Sequence, residues 1–166
     1  MHSLILMRAI IIYYSYSGNT KKIADILAEY LRPRYEIKIL RIDALDESSC
    51  FFLQAVRAFF HKKARISPIE PDLSNYDLIC LGTPVWAFAP APAMNTYLDK
   101  CSGLLGRPVV LFTTYGSGTG VNRCFNYMQG ILSRKGVKEF RRFSIQQLKV
   151  SNKEFVLSKI RELKRL

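Results

Sequence analysis

The feature that most constrains the fold is a set of apolar runs that do not alternate with polar residues. These runs are "RAIIIYYS" (8–15), "YDLICLGTP" (76–84) and "PVVLFTT" (108–114). A strand with one face in water alternates between apolar and polar side chains, whereas a continuous run is typical of a strand buried on both faces. The chain therefore requires helices on both faces of its sheet.

Amphipathic segments separate these runs along the chain. Two further strands are predicted, the alternating "YEIKILRI" (35–42) and the basic "VKEFRRFSI" (137–145), which suits a sheet edge. Five strands that alternate with five helices predict an α/β fold, a three-layer sandwich with a five-stranded parallel sheet between helices. Because no linker or repeat interrupts this order, residues 1–166 are predicted to form one domain.

Several residues mark the predicted helix ends. Gly136 suits the position that follows a helix, and Ser151 with Glu154 predicts a capping box at the last helix. The segment 48–64 is predicted as a helix that is apolar on almost every side. Its phenylalanines either pack in the core or form a partly exposed patch for a dimer or a substrate wall.

The composition limits the classes of protein that the chain can represent. The apolar start "MHSLILMRAIIIYY" is too short for a membrane span, which predicts no span and a cytoplasmic protein. The 4 cysteines form no CxxC pair and are predicted to be reduced and mostly buried. His2 and His61 have no ligand-spaced companion, so no metal site is predicted.

The formal net charge is +12, and it is unevenly distributed. Residues 100–166 hold 14 Lys and Arg against 3 Asp and Glu. This basic half is interpreted either as a solvated surface or as a docking face for an acidic protein or an anionic cofactor. No nucleic-acid partner is predicted, because no recognition motif is present.

The loop "SYSGNT" (15–20) joins the first strand to the first helix. Its hydroxyl and amide side chains lie beside a helix N-terminus, where backbone N–H groups lack partners and the helix dipole is positive. Gly18 allows the backbone to approach a ligand closely. The loop therefore suits a phosphate, although a simple N-cap by Ser17 or Asn19 is the alternative.

Two further loops follow the third and fourth strands, at the same edge of the sheet. Trp86 is the only tryptophan and is predicted to lie on the first of these loops, where it could stack on a flat ring system. The loop "TTYGSGTG" (113–120) is rich in glycine and could place backbone N–H groups against a polar ring edge. Together the three loops suit a mononucleotide with a planar head.

The loop "SYSGNT" resembles the FMN phosphate loop of the flavodoxin family, usually written [ST]-x-[ST]-G-N-T. The resemblance in element order extends from Arg8 to the last helix and implies strand order 2-1-3-4-5. Carried over by position, it implies an FMN site with these contacts: Ser15, Tyr16, Ser17, Gly18, Asn19 and Thr20 at the phosphate, Pro84, Val85, Trp86 and Ala87 along one flavin face, and Thr114, Tyr115, Gly116 and Gly118 at the ring edge.

The chain differs from flavodoxins that only carry electrons, which are typically acidic and have a carboxylate-bearing segment after the fourth strand. Here "YGSGTGVNR" (115–123) contains no carboxylate. Because carboxylates disfavour the anionic reduced flavin, their absence predicts a less negative second reduction potential.

The function predicted from the sequence is that of an FMN flavoprotein that transfers electrons to a redox partner protein. The alternative is an NAD(P)H-dependent FMN oxidoreductase that reduces a quinone or another small acceptor. A scaffold that binds another phosphate ligand is the third function considered. Hydride transfer needs no protein acid or base, so no catalytic side chain is assigned. The chain is expected to be a monomer or a homodimer.

Overall fold

The computed structural model describes residues 6–47 and 50–163, without the side chains at positions 51, 52, 54 and 59. The strands are β1 (Met7–Tyr13), β2 (Tyr35–Arg41), β3 (Leu78–Trp86), β4 (Ala89–Pro90), β5 (Val109–Tyr115) and β6 (Phe140–Gln146). The helices are α1 (Asn19–Leu31), α2 (Phe51–Phe59), α3 (Pro92–Lys100), α4 (Val121–Arg134) and α5 (Lys153–Arg161). No helix in the described ranges is long and apolar enough to cross a membrane.

The sheet has the strand order β2-β1-β3-β5-β6, and these five strands pair in parallel. The predicted order 2-1-3-4-5 is therefore confirmed, with β5 and β6 as the predicted fourth and fifth strands. The short strand β4 was not predicted, and it pairs with β3 in antiparallel fashion. The basic strand β6 lies at the sheet edge as expected.

The continuous apolar runs are buried on both faces, as predicted. Ile10 and Ile12 of β1 belong to one buried cluster, whereas Ala9 and Ile11 belong to a second cluster on the opposite face. Helices α2, α3 and α4 contribute side chains to the first cluster, and α1 and α5 contribute to the second. This arrangement confirms the three-layer sandwich.

Two predicted helix ends can be compared with the structure. Gly136 follows α4 with a φ of 95°, a left-handed conformation that glycine adopts readily, so this prediction is confirmed. The predicted capping box at α5 is wrong, because Asn152 is the N-cap and its side chain accepts a hydrogen bond from the Phe155 N–H at 3.0 Å. Asparagine is as good an N-cap as serine, so the helix begins one residue later at no cost.

The predicted helix 48–64 is shorter in the structure, where α2 ends at Phe59 and His61 has a φ of 51°. Ser48 and Ser49 lie outside the described residues, as do the side chains of Phe51, Phe52 and Phe59. Of the cysteines, Cys80, Cys101 and Cys124 are buried and Cys50 is exposed; all four are free thiols.

Because the strands are parallel, their carboxyl ends meet at one edge of the sheet. Strands β1, β3 and β5 are adjacent and central, so the three loops of interest leave this edge side by side. The Tyr14 N–H donates to the Gly82 carbonyl at 3.0 Å, which joins the first loop to β3. A ligand site at this edge is the general expectation for open α/β sheets.

Candidate functional site

The first loop presents backbone donors at the start of α1. Gly18 is the N-cap, with a φ of 87°, and the first intrahelical bond runs from the Lys22 N–H to the Gly18 carbonyl at 3.1 Å. The N–H groups of Asn19 and Thr20 therefore precede the first intrahelical bond and have no helical partner. The alternative of a side-chain N-cap by Ser17 or Asn19 is wrong, because a residue without a side chain holds that position.

Ser15 lies at the start of this loop with only 3% of its surface exposed. Its Oγ atom is buried and has no hydrogen-bond partner among the described residues, while its carbonyl accepts a hydrogen bond from Arg41 at 3.3 Å. A buried hydroxyl without a partner is unfavourable by about 1–3 kcal/mol. Such a group is expected where a ligand completes the hydrogen bonding.

The first and third loops are held together by a buried hydrogen bond. The hydroxyl oxygens of Thr20 and Thr114 lie 2.9 Å apart, and both residues are almost fully buried. The Thr20 hydroxyl thus fixes the start of α1 against the end of β5. The backbone N–H of Thr20 has no intrahelical partner and is the group of this residue that is available to a ligand.

The second loop is a tight hairpin between β3 and β4. Val85 pairs with Pro90 and Trp86 with Ala89, so Ala87 and Phe88 form the turn with φ values of 45° and 70°. Two consecutive residues in the left-handed region are typical of a type I′ turn, which normally contains asparagine or glycine. The surrounding structure therefore imposes a strained backbone beside the site.

Two contacts hold this hairpin in place. The Thr83 hydroxyl accepts a hydrogen bond from the Ala91 N–H at 3.0 Å and donates to the Pro84 carbonyl at 3.1 Å. Gly120 lies against Phe88, since a Cβ atom at position 120 would be 2.8 Å from the Phe88 Cα. The third loop thus supports the second through a glycine.

Trp86 occupies a different position from the one predicted. It is the last residue of β3 rather than a loop residue, and only 5% of its surface is exposed. Its ring packs edge-on against Tyr14 and Tyr16, with centroid distances of 5.7 and 5.6 Å. Trp86 therefore forms a wall of the site, and the more exposed Tyr16 and Tyr115 present more open aromatic surface.

Tyr14 supports this wall from the core side. Burial raises the pKa of its hydroxyl far above the usual range, and a hydrogen bond with the Glu47 carboxylate acts in the same direction. The phenol is therefore neutral at neutral pH. It links the segment that follows β2 to the aromatic wall.

The three loops enclose a cavity of about 450 Å³. This volume lies within the range of small-molecule and cofactor sites, roughly 300–1,000 Å³. None of the residues that line it is charged. They are Tyr16, Ser17, Asn19, Thr20, Pro84, Val85, Trp86, Thr114, Tyr115, Gly116 and Gln147.

A smaller cavity of about 160 Å³ adjoins the first and shares Val85, Tyr115 and Gly116 with it. Ala87 and Gly118 line this second cavity, together with Phe88. Gly118 has a φ of 82°, and a side chain there would contact the ring of Tyr115. The predicted residues Ser15 and Gly18 line neither cavity. Ser15 is buried at the start of the first loop, and Gly18 is the N-cap of α1.

Gln147 is the residue of the larger cavity's lining that sequence reasoning missed, and Phe88, Ser117 and Thr119 are those it missed in the smaller one. Gln147 follows β6, in a short 3₁₀ segment (Gln147–Lys149), and reaches the cavity only because β6 pairs with β5. Its neighbour Gln146 donates a hydrogen bond to the Gly116 carbonyl at 3.1 Å. No motif surrounds these glutamines, so only the strand order could have indicated them.

The fold and the site together define a flavodoxin-like α/β protein with a neutral cavity at the carboxyl edge of its sheet. The chain belongs to the NADPH-dependent FMN reductase family, whose model matches residues 7–146. This assignment confirms the sequence-based expectation of a flavodoxin-like FMN flavoprotein.

The chain is also similar to curated proteins and to solved structures. It is 29% identical over 111 residues to an NAD(P)H dehydrogenase (quinone) of Cupriavidus metallidurans, a match that covers 63% of this chain and 52% of that protein. The chain spans about half the length of the curated relatives it matches.

Two solved structures share the fold at low sequence identity. A flavoprotein from Lactobacillus acidophilus, in complex with FMN, has 20% identity and a TM-score of 0.61, with 89% of this chain and 99% of that chain covered. An oxidised flavodoxin 2 from Bacillus cereus has 20% identity and a TM-score of 0.57, with 93% and 99% covered.

Proposed function

We propose that this chain is an FMN-dependent oxidoreductase that is reduced by NAD(P)H and passes the electrons to a small acceptor. The observation that carries the proposal is the uncharged cavity of about 450 Å³ in which a helix N-terminus and aromatic walls meet. A ligand with a phosphate and a flat ring suits this cavity, because the phosphate would lie at the helix N-terminus and the ring would lie along the aromatic walls.

The first loop would hold the phosphate. The N–H groups of Asn19 and Thr20 and the hydroxyl of Ser17 are uncharged donors, and the α1 dipole favours an anion at this position. A phosphate oxygen within reach of the Ser15 Oγ would also satisfy that buried hydroxyl. Tyr16 and Gly18 would complete the loop, Tyr16 by its ring and Gly18 by its left-handed backbone.

The second and third loops would hold the ring. Pro84, Val85 and Trp86 would form one wall, and Tyr115 with Gly116 would form the opposite edge. Ala87 and Gly118, which line the smaller cavity, would leave room beside the ring for a reactant. Thr114 fixes this edge to α1 through Thr20.

FMN supplies the redox chemistry when it is bound, because its ring accepts a hydride and releases electrons one or two at a time. The chain contributes binding, orientation and electrostatics. No charged residue lines either cavity in the described structure, so no side chain there opposes a negative charge on the ring.

Stopped-flow mixing of the FMN-loaded protein with NADPH or NADH under anaerobic conditions tests this proposal. We expect loss of the yellow absorbance on a catalytic timescale, faster than for the same concentration of free FMN. Rapid reoxidation by a small quinone would complete the cycle.

The second candidate is a carrier that receives electrons from a redox protein. The basic half of the chain favours it, since residues 100–166 hold 14 Lys and Arg against 3 Asp and Glu and could attract an acidic partner. A bound FMN that neither nucleotide reduces, but that a reductase protein reduces, would support the carrier and contradict the enzyme.

A further inference from the structure

Three large apolar side chains in and just after helix α2 face solvent. Leu53, Val56 and Phe60 are spaced for one helical face, and 52%, 38% and 64% of their surfaces are exposed. Among the α2 side chains that the structure describes, the small Ala58 is the one that is fully buried. Large apolar side chains that are exposed side by side are typical of an interaction surface, and we term this stripe of Leu53, Val56 and Phe60 the α2 face.

Basic residues accompany this apolar stripe. Arg57, Lys62, Lys63 and Arg65 lie in or just after the helix, and no Asp or Glu occurs in residues 50–65. Arg57 forms an ion pair with Asp46 at 2.9 Å, and Lys63 forms one with an aspartate of α3 at 2.7 Å.

Two of these cations have no such partner. Lys62 and Arg65 are exposed, and neither forms an ion pair with a carboxylate of the described residues. The α2 face is therefore an exposed apolar stripe bordered by uncompensated positive charge. Exposed apolar side chains combined with Lys and Arg are the features that bind a helix to an anionic bilayer surface.

A second copy of the chain fits this surface less well. In a two-fold symmetric interface each patch meets itself, which would bring Lys62 and Arg65 of both copies together. The net charge of +12 adds to this repulsion. An anionic lipid bilayer avoids this repulsion, because its headgroups attract Lys62 and Arg65 and its interface accepts the apolar side chains.

We infer that the α2 face docks the protein on an anionic lipid bilayer. Leu53, Val56 and Phe60 would enter the interface, and the adjacent Lys62 and Arg65 would contact lipid headgroups. Helix α2 contacts both β3 and β4, so the docked helix lies next to the hairpin of the candidate site. The docking itself does not depend on bound FMN.

Sedimentation of the full-length protein with lipid vesicles tests this inference. The protein should bind vesicles made of equal amounts of phosphatidylcholine and phosphatidylglycerol, and bind phosphatidylcholine vesicles much more weakly. Phe60→Ser and the double variant Lys62→Gln with Arg65→Gln should each lower the partition coefficient about tenfold.

Matched controls change exposed residues outside the α2 face. Leu105→Ser removes an apolar side chain that is 77% exposed, and Lys138→Gln with Arg32→Gln removes two exposed cations. These controls should bind like the wild type, and circular dichroism should show that every variant is folded.

Three results would overturn the inference. The first is equal binding to neutral and anionic vesicles, and the second is equal loss in the controls. The third is absence of vesicle binding together with a dimer, seen by light scattering, that Phe60→Ser dissociates, because the α2 face would then be an interface between copies. Each result is independent of FMN reduction, so it leaves the proposed function to its own test.

Discussion

Thr20 and Thr113 both bury a hydroxyl at the carboxyl edge of the sheet, but they differ in their partners. The Thr20 hydroxyl is bonded to that of Thr114, whereas the Thr113 Oγ1 has no partner among the described residues. Thr20→Val should lower the free energy of unfolding by about 1–3 kcal/mol, because it leaves the Thr114 hydroxyl buried and unpaired. Thr113→Val should be neutral or stabilising, and urea denaturation of both variants would show the difference. Equal losses would contradict this assignment of hydrogen bonds.

Ser15 allows a test in which stability and binding change in different directions. Because its buried Oγ has no partner in the described structure, Ser15→Ala should leave the FMN-free protein equally stable or more stable. FMN affinity should fall about tenfold if the phosphate is the missing partner. Thermal unfolding and fluorescence titration with FMN measure the two quantities. Destabilisation of the FMN-free protein with unchanged affinity would place the hydroxyl in a purely structural role.

The burial of three of the four cysteines predicts that a thiol reagent modifies the fourth selectively. Burial raises the pKa of Cys101 to about 11 and that of Cys124 to about 12, and it raises the pKa of Cys80 still further. These thiols are protonated at pH 8 and shielded from reagents, whereas Cys50 is exposed. A disulfide reagent should modify one thiol in the folded protein, and Cys50→Ser should abolish the reaction. Rapid modification of more than one thiol would contradict the described burial.

The site residues differ in how far the sequence could predict them. The donors of the first loop follow from a strand, a polar turn and a helix that are adjacent in the sequence. The apolar run 76–84 predicts a strand with Trp86 on the loop beyond it, yet pairing with Ala89 extends β3 through the tryptophan. Gln147 reaches the cavity through strand pairing, a non-local contact that no local pattern encodes.

The hairpin between β3 and β4 is a whole element that non-local contacts determine and that local patterns do not predict. A type I′ turn is predictable when asparagine or glycine supplies the positive φ angles, but here Ala87 and Phe88 do so. Tertiary contacts impose this conformation, notably the hydrogen bonds of Thr83 and the space that Gly120 leaves for Phe88. The local sequence therefore gave no indication of β4.

Two glycines, Gly120 at the N-cap of α4 and Gly130 within the helix, test this dependence. Gly120→Ala would put a Cβ 2.8 Å from the Phe88 Cα and place alanine at a φ of 87°, so it should destabilise the protein by roughly 1–3 kcal/mol. Gly130→Ala, in the middle of the same helix, meets only the flexible Arg134 side chain at 3.9 Å and should stabilise by about 0.5–1 kcal/mol. Chemical denaturation of both variants provides the comparison. Equal effects would mean that the hairpin does not depend on Gly120.

For the molecule as a whole, the fold was predictable because it follows from patterning. Three continuous apolar runs require cover on both faces, and the alternation of strands and helices leaves few other topologies. The sequence did not predict which basic side chains form ion pairs and which do not, because a count of residues carries no information on pairing. The structure supplies that information at the α2 face, where Lys62 and Arg65 remain without ion pairs among the described residues.

The charge distribution also predicts the electrochemistry. No carboxylate lines either described cavity, and the formal net charge is +12. Full reduction of bound FMN adds negative charge, which this environment does not oppose. The second reduction potential should therefore be less negative than in acidic flavodoxins, as a redox titration of the FMN-loaded protein would show. A strongly negative second step would contradict this electrostatic argument.

The central claim is that neutral donors at the start of α1 bind the phosphate of FMN. Calorimetric titration with FMN and with riboflavin tests it most directly, because the two ligands share the ring and differ in the phosphate. We predict one FMN per chain and riboflavin binding weaker by roughly a hundredfold, as expected for the loss of two or more charge-assisted hydrogen bonds. Equal affinities for the two ligands, or no binding of FMN, would contradict the claim.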